Sequence, residues 1–399
     1  MKITNKIKVN SETMEQIMDF IVDQNKMLQS QGLKAKSVNI LGERGIGKSS
    51  FFKDYAQKKN MHFVKIDPSN MEEQGDLIGF PYIEFYMCKE DTFREIDGIK
   101  VPVKGDCCWV TKDFVEQFEN IGYKHNGRSR MNYAMPEFIE KIQGRENGIF
   151  LIDDMTRANR QFKQSLMSIF LDQETQTWKL PKGWTVVATS NPNTKDYDVE
   201  ELDLAQSDRF FEFEMEFNEK SWAKWADGKI DERNILFVLR HPELLKGKLS
   251  PRSATDFFET IKGKNYEENK VMINLCGESR CGIEFMATYN KEMHNMQFEL
   301  PSPELILKGD VHAFSSLETC IGKGEKYRAD IAWLMMTRIQ NYCKNLKADQ
   351  TQVNVMKKLL VNKIFNDNQS YHLAREVILA NKSFQSLVTD PQLLELISK

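Results

Sequence analysis

The sequence lacks the features of several protein classes. No run of about 18 apolar residues occurs, so we expect no membrane-spanning helix and no membrane partner. Residues 1–16 have no apolar core of the signal-peptide kind, which favours a cytoplasmic protein, in the host cytoplasm if a virus encodes it. The net charge of −3 creates no overall field that would attract nucleic acid or anionic membranes.

The spacing of cysteines and histidines also argues against a disulfide framework and a zinc site. Seven cysteines are an odd number without framework spacing, which favours a reducing compartment and idle thiols. Cys276 and Cys281 have no second cysteine or histidine pair to complete a zinc site, and the histidines show no ligand spacing. We therefore expect no zinc enzyme.

Short apolar segments alternate with helical patterns in the first half of the chain. The alternation predicts a parallel sheet covered by helices. Segment 210–217 alternates apolar and acidic residues, as an edge or half-exposed strand does. The stretch from 75 to 134 is too long for a simple crossover, which predicts an insertion with a hairpin around "IDGIKVPVKG". The predicted strands are "VNIL", 61–67, 148–153, 184–192 and 210–217, and the predicted helices are 48–59, 135–144 and 160–172.

The second half of the chain has helical patterns only. We predict a core domain over 1–217, a helical lid over 218–295 and a helical C-terminal region over 296–399. Ser302 before Pro303 has the pattern of a helix start, Ser11 precedes an amphipathic helix, and Ser315 and Glu318 have capping-box spacing.

The segment "GERGIGKS" fits the phosphate-binding pattern G-x-x-x-x-G-K-[ST]. Its glycines let backbone N–H groups curl around phosphate oxygens at a helix N-terminus. The pattern assigns Lys48 to the β- and γ-phosphates and the Ser49 hydroxyl to Mg²⁺. The predicted phosphate-binding residues are Gly42, Glu43, Arg44, Gly45, Ile46, Gly47, Lys48, Ser49 and Ser50.

Two adjacent carboxylates follow the apolar strand "GIFLI". A phosphate-binding loop needs an acidic residue at a neighbouring strand end to hold Mg²⁺, and Asp153 has that position. Asp154 is then placed to act as the base that orients the attacking water. The alternative is that both carboxylates only cap the following helix.

Three further polar residues have positions suited to a phosphate site. Asn191 follows the strand "TVVAT", where its side chain would touch the water or the γ-phosphate; the alternative is a turn residue before proline. Arg209 lies between a helical segment and a strand, and Arg252 at a helix start. A single arginine at such a position, considered without the other motifs, is usually exposed to solvent.

Together these motifs resemble the AAA+ ATPases, and within them the MoxR and CbbQ/NorQ group. The resemblance covers 38–253: "GERGIGKS" is similar to Walker A, "IFLIDD" to Walker B, "GDLIGFP" to the segment before the helix-2 insert, "ATSNP" to sensor 1, and "LSPRS" to sensor 2. "DDMTRA" parallels D-E-I-N-R-A, with Asp154 in place of Glu and Thr156 in place of Asn.

The resemblance implies an α/β P-loop core with a five-stranded parallel sheet, a helix-2 insert and a helical lid, with ATP and Mg²⁺ as cofactors. It also implies that Arg209 acts in trans as an arginine finger and that Arg252 reaches the γ-phosphate of its own subunit. The expected form is a hexameric ring that remodels a partner protein, possible partners including a von Willebrand A domain protein.

Two other functions stay open at this stage. A motor on nucleic acid is favoured by the aromatic "GFPYIEFYMC" and the basic "YKHNGRSRMNY" within the insertion, and disfavoured by the lack of a basic domain. A nucleotide-gated assembly module with slow hydrolysis is favoured by Asp154, because aspartate is one methylene shorter than glutamate.

Overall fold

The computed structural model describes residues 7–96, 99–158, 160–192, 209–245, 249–295, 300–391 and 393. The chain forms two compact units. The first comprises Met1–Glu43 and Gly47–Glu216, and the second comprises Arg44–Ile46 and Phe217–Lys399.

The first unit contains a parallel sheet covered by helices and an inserted β-structure, as expected. Its strands are β1 (Ile7–Val9), β2 (Ser37–Leu41), β3 (His62–Ile66), β4 (Phe80–Lys89), β5 (Thr92–Ile96), β6 (Ile99–Val103), β7 (Cys107–Thr111), β8 (Tyr123–Ala134), β9 (Gly148–Ile152), β10 (Trp184–Ser190) and β11 (Phe210–Met215). Its helices are α1 (Ser11–Ser30), α2 (Lys48–Lys58), α3 (Gly75–Ile78), α4 (Val115–Asn120), α5 (Glu137–Glu140) and α6 (Arg160–Asp172).

The main sheet has the order β1-β11-β2-β10-β9-β3, and all of its strand pairs are parallel. Two expectations were wrong in detail. The sheet has six strands rather than five, and β11 lies between β1 and β2. Of the two alternatives for the 210–217 segment, an edge strand is therefore wrong and a half-exposed strand is confirmed, since Met215 alone among the residues of β11 is buried. The cause is β1, whose three residues are too few to show a periodic pattern, and which pairs with β11 over its whole length.

The strands that carry the motifs are the buried ones. Every residue of β2, β9 and β10 is buried, as a strand covered on both faces requires. In parallel strands the carboxyl ends meet at one edge of the sheet. The polar residues that follow these strands are therefore brought together there.

The insertion contains the expected hairpin, β5–β6, and also an antiparallel sheet of order β7-β4-β8 that the sequence did not predict. Cys88 of β4 faces Cys107 of β7, and the two form a disulfide. The expectation of idle thiols was therefore wrong for these two residues, because the pairing depends on strand register.

The second unit is helical, as expected. Its helices are α7 (Glu219–Ala226), α8 (Glu232–Arg240), α9 (Pro251–Thr260), α10 (Tyr266–Cys281), α11 (Ile283–Asn295), α12 (Pro303–Leu307), α13 (Val311–Ile321), α14 (Ala329–Lys344), α15 (Gln350–Val361) and α16 (Asp367–Ala380). One hydrophobic cluster extends from Ala223 to Leu393 and includes residues on both sides of position 296. The division into a lid and a separate C-terminal region stays a prediction.

The helix starts were predicted with mixed success. Ser302 caps α12 by accepting from Glu304 N at 3.3 Å, as expected. Ser11 does not cap α1, because Asn10 accepts from Thr13 N instead. The capping box at 315 and 318 was wrong, since both residues lie inside α13, whose N-cap is Asp310. Across the described ranges, no helix has the length and apolar character needed to span a membrane.

Candidate nucleotide-binding site

The predicted phosphate-binding loop connects β2 to α2. Gly45 and Gly47 have φ values of 77° and 95°, a left-handed region that side chains rarely adopt. Gly47 is the N-cap of α2 and supplies no side-chain cap. The first N–H groups of α2 are therefore available to an anion, in the strand–loop–helix arrangement that the motif requires.

Lys48 is the first residue of α2, and its side chain is buried. Its Nζ donates to Gly42 O at 2.5 Å, to Glu43 O at 3.0 Å and to Asn191 Oδ1 at 3.1 Å. A buried ammonium needs such acceptors, because desolvation is costly for a charge. Lys48 thus contacts the loop and the end of β10 together.

Asp153 follows β9 and receives three hydrogen bonds. Ser49 Oγ and Thr189 Oγ1 each donate to Oδ1 at 2.6 Å, and Lys65 Nζ lies 2.5 Å from Oδ2. Burial opposes ionisation of Asp153, but the hydrogen bonds from Lys65, Ser49 and Thr189 outweigh it and hold the pKa of this carboxyl below its usual range. Asp153 is therefore an anion at neutral pH.

Asp154 has a left-handed backbone, with φ 51° and ψ 48°. Its Oδ1 accepts from Asn191 Nδ2 at 2.8 Å and from Thr156 Oγ1 at 3.2 Å. Its Oδ2 lies 2.8 Å from Arg157 Nε. The carboxylate that the sequence assigns as base is thus held by an amide, a hydroxyl and a guanidinium.

Thr189 and Asn191 place the end of β10 against both aspartates. Thr189 Oγ1 accepts from Asp154 N at 2.9 Å while donating to Asp153. Thr189 and Asn191 are both buried. Asn191 bridges Lys48 and Asp154 through its two amide atoms. The alternative for Asn191, a turn residue alone, does not account for these contacts.

The remaining predicted residues lie further out. Glu43, Arg44 and Ser50 are exposed on the loop and the start of α2. In the second unit, Arg252 N donates to Gly45 O at 3.1 Å, and the Arg252 side chain is exposed near the start of α9.

Arg209 is half-buried in the turn before β11, and most of the segment leading to it lies outside the described residues. The expected helix before Arg209 falls in that segment. Within the part of the chain that the structure describes, Arg209 is not joined to the aspartates, and the roles of Arg209 and Arg252 stay predictions.

Sequence reasoning missed Lys65, Thr189 and Arg157. Lys65 lies one residue before the end of β3, which pairs with β9, and Asp153 N donates to Ile66 O at 2.9 Å. A polar residue near a strand end was the available signal, but using it requires knowing that β3 neighbours β9. Arg157 lies three residues after Asp154, within one turn of helix.

The oxygen atoms around Asp153 are suitable ligands for a small divalent cation. Mg²⁺ prefers hard oxygen ligands and is usually held by one or two carboxylates together with substrate phosphates. Ser49 Oγ and Asp153 Oδ1 are two such oxygens, 2.6 Å apart beside the phosphate-binding loop. Within the described ranges no group of three or more His, Cys, Asp or Glu side chains forms a metal cage, and waters and phosphates are the usual further ligands of Mg²⁺.

No family model and no curated protein sequence matches this chain. Among solved structures, the RuvB Holliday junction branch migration motor of Thermotoga maritima is 14% identical, with 76% of each chain covered and a TM-score of 0.36. NtrX of Brucella abortus in complex with ADP is 11% identical, with 63% of this chain covered and a TM-score of 0.33. This chain spans about half the length of NtrX, covering 50% of it. These likenesses are too distant to carry an argument about function.

Proposed function

We propose that this chain is an AAA+ ATPase of the MoxR and CbbQ/NorQ type, which binds and hydrolyses Mg-ATP and works as a homo-oligomeric ring on a partner protein. The observation that carries the proposal is the contact between Ser49 and Asp153. It joins the hydroxyl of a phosphate-binding loop to a strand-end carboxylate at 2.6 Å. A glycine-rich turn without a ligand has no need of that carboxylate.

Each residue of the site then has a chemical task. Lys48 and the first N–H groups of α2 bind phosphate oxygens. Ser49 and Asp153 would hold Mg²⁺, which supplies neutralisation of the phosphate charge. Asp154 and Asn191 orient the attacking water, once Arg157 has released the carboxylate.

The ring rests on two arginines that would stabilise charge on the transferring phosphoryl group. Arg209 would enter the site of a neighbouring subunit, and Arg252 would serve its own subunit. We propose a hexamer because the resembled family forms one.

The first experiment measures ATP turnover per subunit against protein concentration, with Lys48→Ala as the blank. We expect turnover per subunit to rise with concentration, because Arg209 of a neighbour completes each site. Turnover that stays flat, while the measured mass stays that of a monomer, would contradict the ring. ATP binding without turnover above the blank would favour the slow assembly module instead.

A mixing experiment separates the two arginines. Arg209→Ala subunits keep their own phosphate-binding loop, and Lys48→Ala subunits keep Arg209. Mixing these two inactive variants restores turnover if Arg209 acts in trans. An Arg252→Ala variant mixed with Lys48→Ala stays inactive if Arg252 acts in cis. The opposite pattern would reverse the two assignments.

The partner is proposed to be a protein, with a von Willebrand A domain protein among the candidates. One observation favours nucleic acid as a second candidate. On the insert sheet, the guanidinium of Arg130 lies 4.3 Å from the Trp109 ring centroid, and Trp109 lies 4.7 Å from the Tyr86 ring. Aromatic rings and arginine planes can stack on bases. Turnover stimulated by single-stranded DNA with steep salt dependence would support that candidate, and no response to DNA would reject it.

A further inference from the structure

The lysine that lies on Asp153 is not part of the phosphate-binding motif. Lys65 projects from β3, and its Nζ lies 2.5 Å from Asp153 Oδ2. The Asp153 side chain is 16% exposed and that of Lys65 is 41% exposed. A largely buried carboxylate needs charge compensation, and the half-exposed ammonium of Lys65 supplies a direct counter-charge.

The two oxygens of Asp153 are used differently. Oδ1 accepts from the hydroxyls of Ser49 and Thr189, which are neutral donors, whereas Oδ2 faces the charged Lys65. Hydroxyl donors orient a carboxylate but leave its charge in place. A metal that ligates Asp153 brings its own positive charge to the same carboxylate, so the ammonium of Lys65 and the metal repel each other there.

We propose that Lys65 is a resident cation of this site, which neutralises Asp153 through Oδ2 before a metal binds and opposes a metal that ligates Oδ1, because both cations would share one carboxylate. The inference rests on the proposed function, because it concerns the same Mg-nucleotide site. Lys65 is a positioning residue in this scheme, since it acts through Asp153 and not on the phosphates.

Two effects on nucleotide binding follow. Without metal, Lys65 keeps the negative charge of Asp153 from repelling the phosphates, so the nucleotide still binds. With metal, the repulsion between the metal and the ammonium of Lys65 costs free energy, so the metal strengthens nucleotide binding less than it otherwise would. Lys65 therefore lowers the coupling between metal and nucleotide.

The test measures this coupling with ADP, which avoids turnover. Calorimetry gives the Kd of ADP in EDTA and in saturating MgCl₂. The coupling is the Kd in EDTA divided by the Kd in MgCl₂. In Lys65→Met we expect the ratio to rise about fivefold, because a partly exposed ion pair contributes about 1 kcal/mol. Lys65→Arg keeps the cation and should keep the wild-type ratio.

Lys59→Met is the matched control. Lys59 is also an ion-paired lysine of the first unit, with Nζ 2.7 Å from Asp19 and a side chain that is 33% exposed. It lies outside the phosphate site, so the ratio should stay at the wild-type value. Lys65→Gln replaces Lys65→Met if the methionine variant does not show the wild-type circular dichroism spectrum.

The outcomes separate this inference from the proposed function. A raised ratio in Lys65→Met, with wild-type ratios in Lys65→Arg and Lys59→Met, supports the resident cation. An unchanged or lowered ratio in Lys65→Met overturns it and leaves the nucleotide site standing. Wild-type protein that binds ADP no better than Lys48→Ala overturns the proposed function, and this inference with it.

Discussion

Replacing Thr189 with valine removes a single hydroxyl that serves both aspartates of the candidate site. That hydroxyl donates to Asp153 Oδ1 at 2.6 Å and accepts from Asp154 N at 2.9 Å. Valine has nearly the same shape, so the substitution leaves no large cavity in β10. The loss of stability then reports the two hydrogen bonds.

The magnitude follows from the kind of hydrogen bond that is lost. A hydrogen bond to a charged group contributes about 1.5–3 kcal/mol, and a buried donor left without an acceptor costs about 1–3 kcal/mol. Since Asp154 is only partly buried, we take the low end of both ranges. Thr189→Val should lower the free energy of unfolding by about 2.5 kcal/mol.

Thr185→Val on the same strand is the control. Thr185 is also buried, and its Oγ1 accepts one neutral hydrogen bond, from Asn25 Nδ2 at 3.1 Å. Its loss should cost about 1 kcal/mol. Urea unfolding of both variants, followed by circular dichroism, measures the difference.

The difference between the variants should depend on pH. The folded-state pKa of Asp153 is lowered, so the stability from its hydrogen bonds is present above the unfolded-state pKa of about 3.9 and is lost as the pH falls through the folded-state value. The extra destabilisation by Thr189→Val should therefore be full at pH 7 and shrink below about pH 4. Equal destabilisation by the two substitutions at pH 7 would refute the reasoning.

Three further predictions concern single side chains. Cys88→Ser opens a cross-strand disulfide with a sequence separation of 19 and should cost about 3 kcal/mol, with reductant lowering the melting temperature of the wild type but not of the variant. Asp154→Glu should lower ATP turnover and cost about 1 kcal/mol in stability, because glutamate is disfavoured at a φ of 51°; higher turnover would show that the native site is tuned for slow hydrolysis. Arg130→Gln takes the guanidinium from the buried Glu84 and should cost about 2 kcal/mol in thermal unfolding, whereas Lys124→Gln, which breaks a fully exposed pair on the same strand, should leave the melting temperature unchanged.

The parts of the site that could be predicted from the sequence are those defined by residues close together in the chain. Lys48 and Ser49 are defined by the loop pattern, and Asp153 by the end of an apolar strand. Lys65 and Thr189 reach Asp153 from two other strands, so their contacts follow from strand order and register, which local patterns do not contain.

The fold also divides into features that local sequence patterns predict and features that depend on strand pairing. The buried strands and most helices were predicted from apolar runs and helical spacing. The short β1 was missed, and with it the interior position of β11, because three residues carry no period. The disulfide was missed because it depends on how β4 pairs with β7.

The backbone at position 154 gives a physical reason for aspartate where the resembled family has glutamate. In the left-handed region, aspartate is among the few side chains other than glycine that are tolerated. The short carboxylate also reaches Asn191 Nδ2 and Arg157 Nε, both at 2.8 Å. The departure from the pattern of the resembled family is thus coupled to the turn after β9. In the proposed mechanism, Asp154 can orient a water only after Arg157 Nε, 2.8 Å from its Oδ2, has moved away.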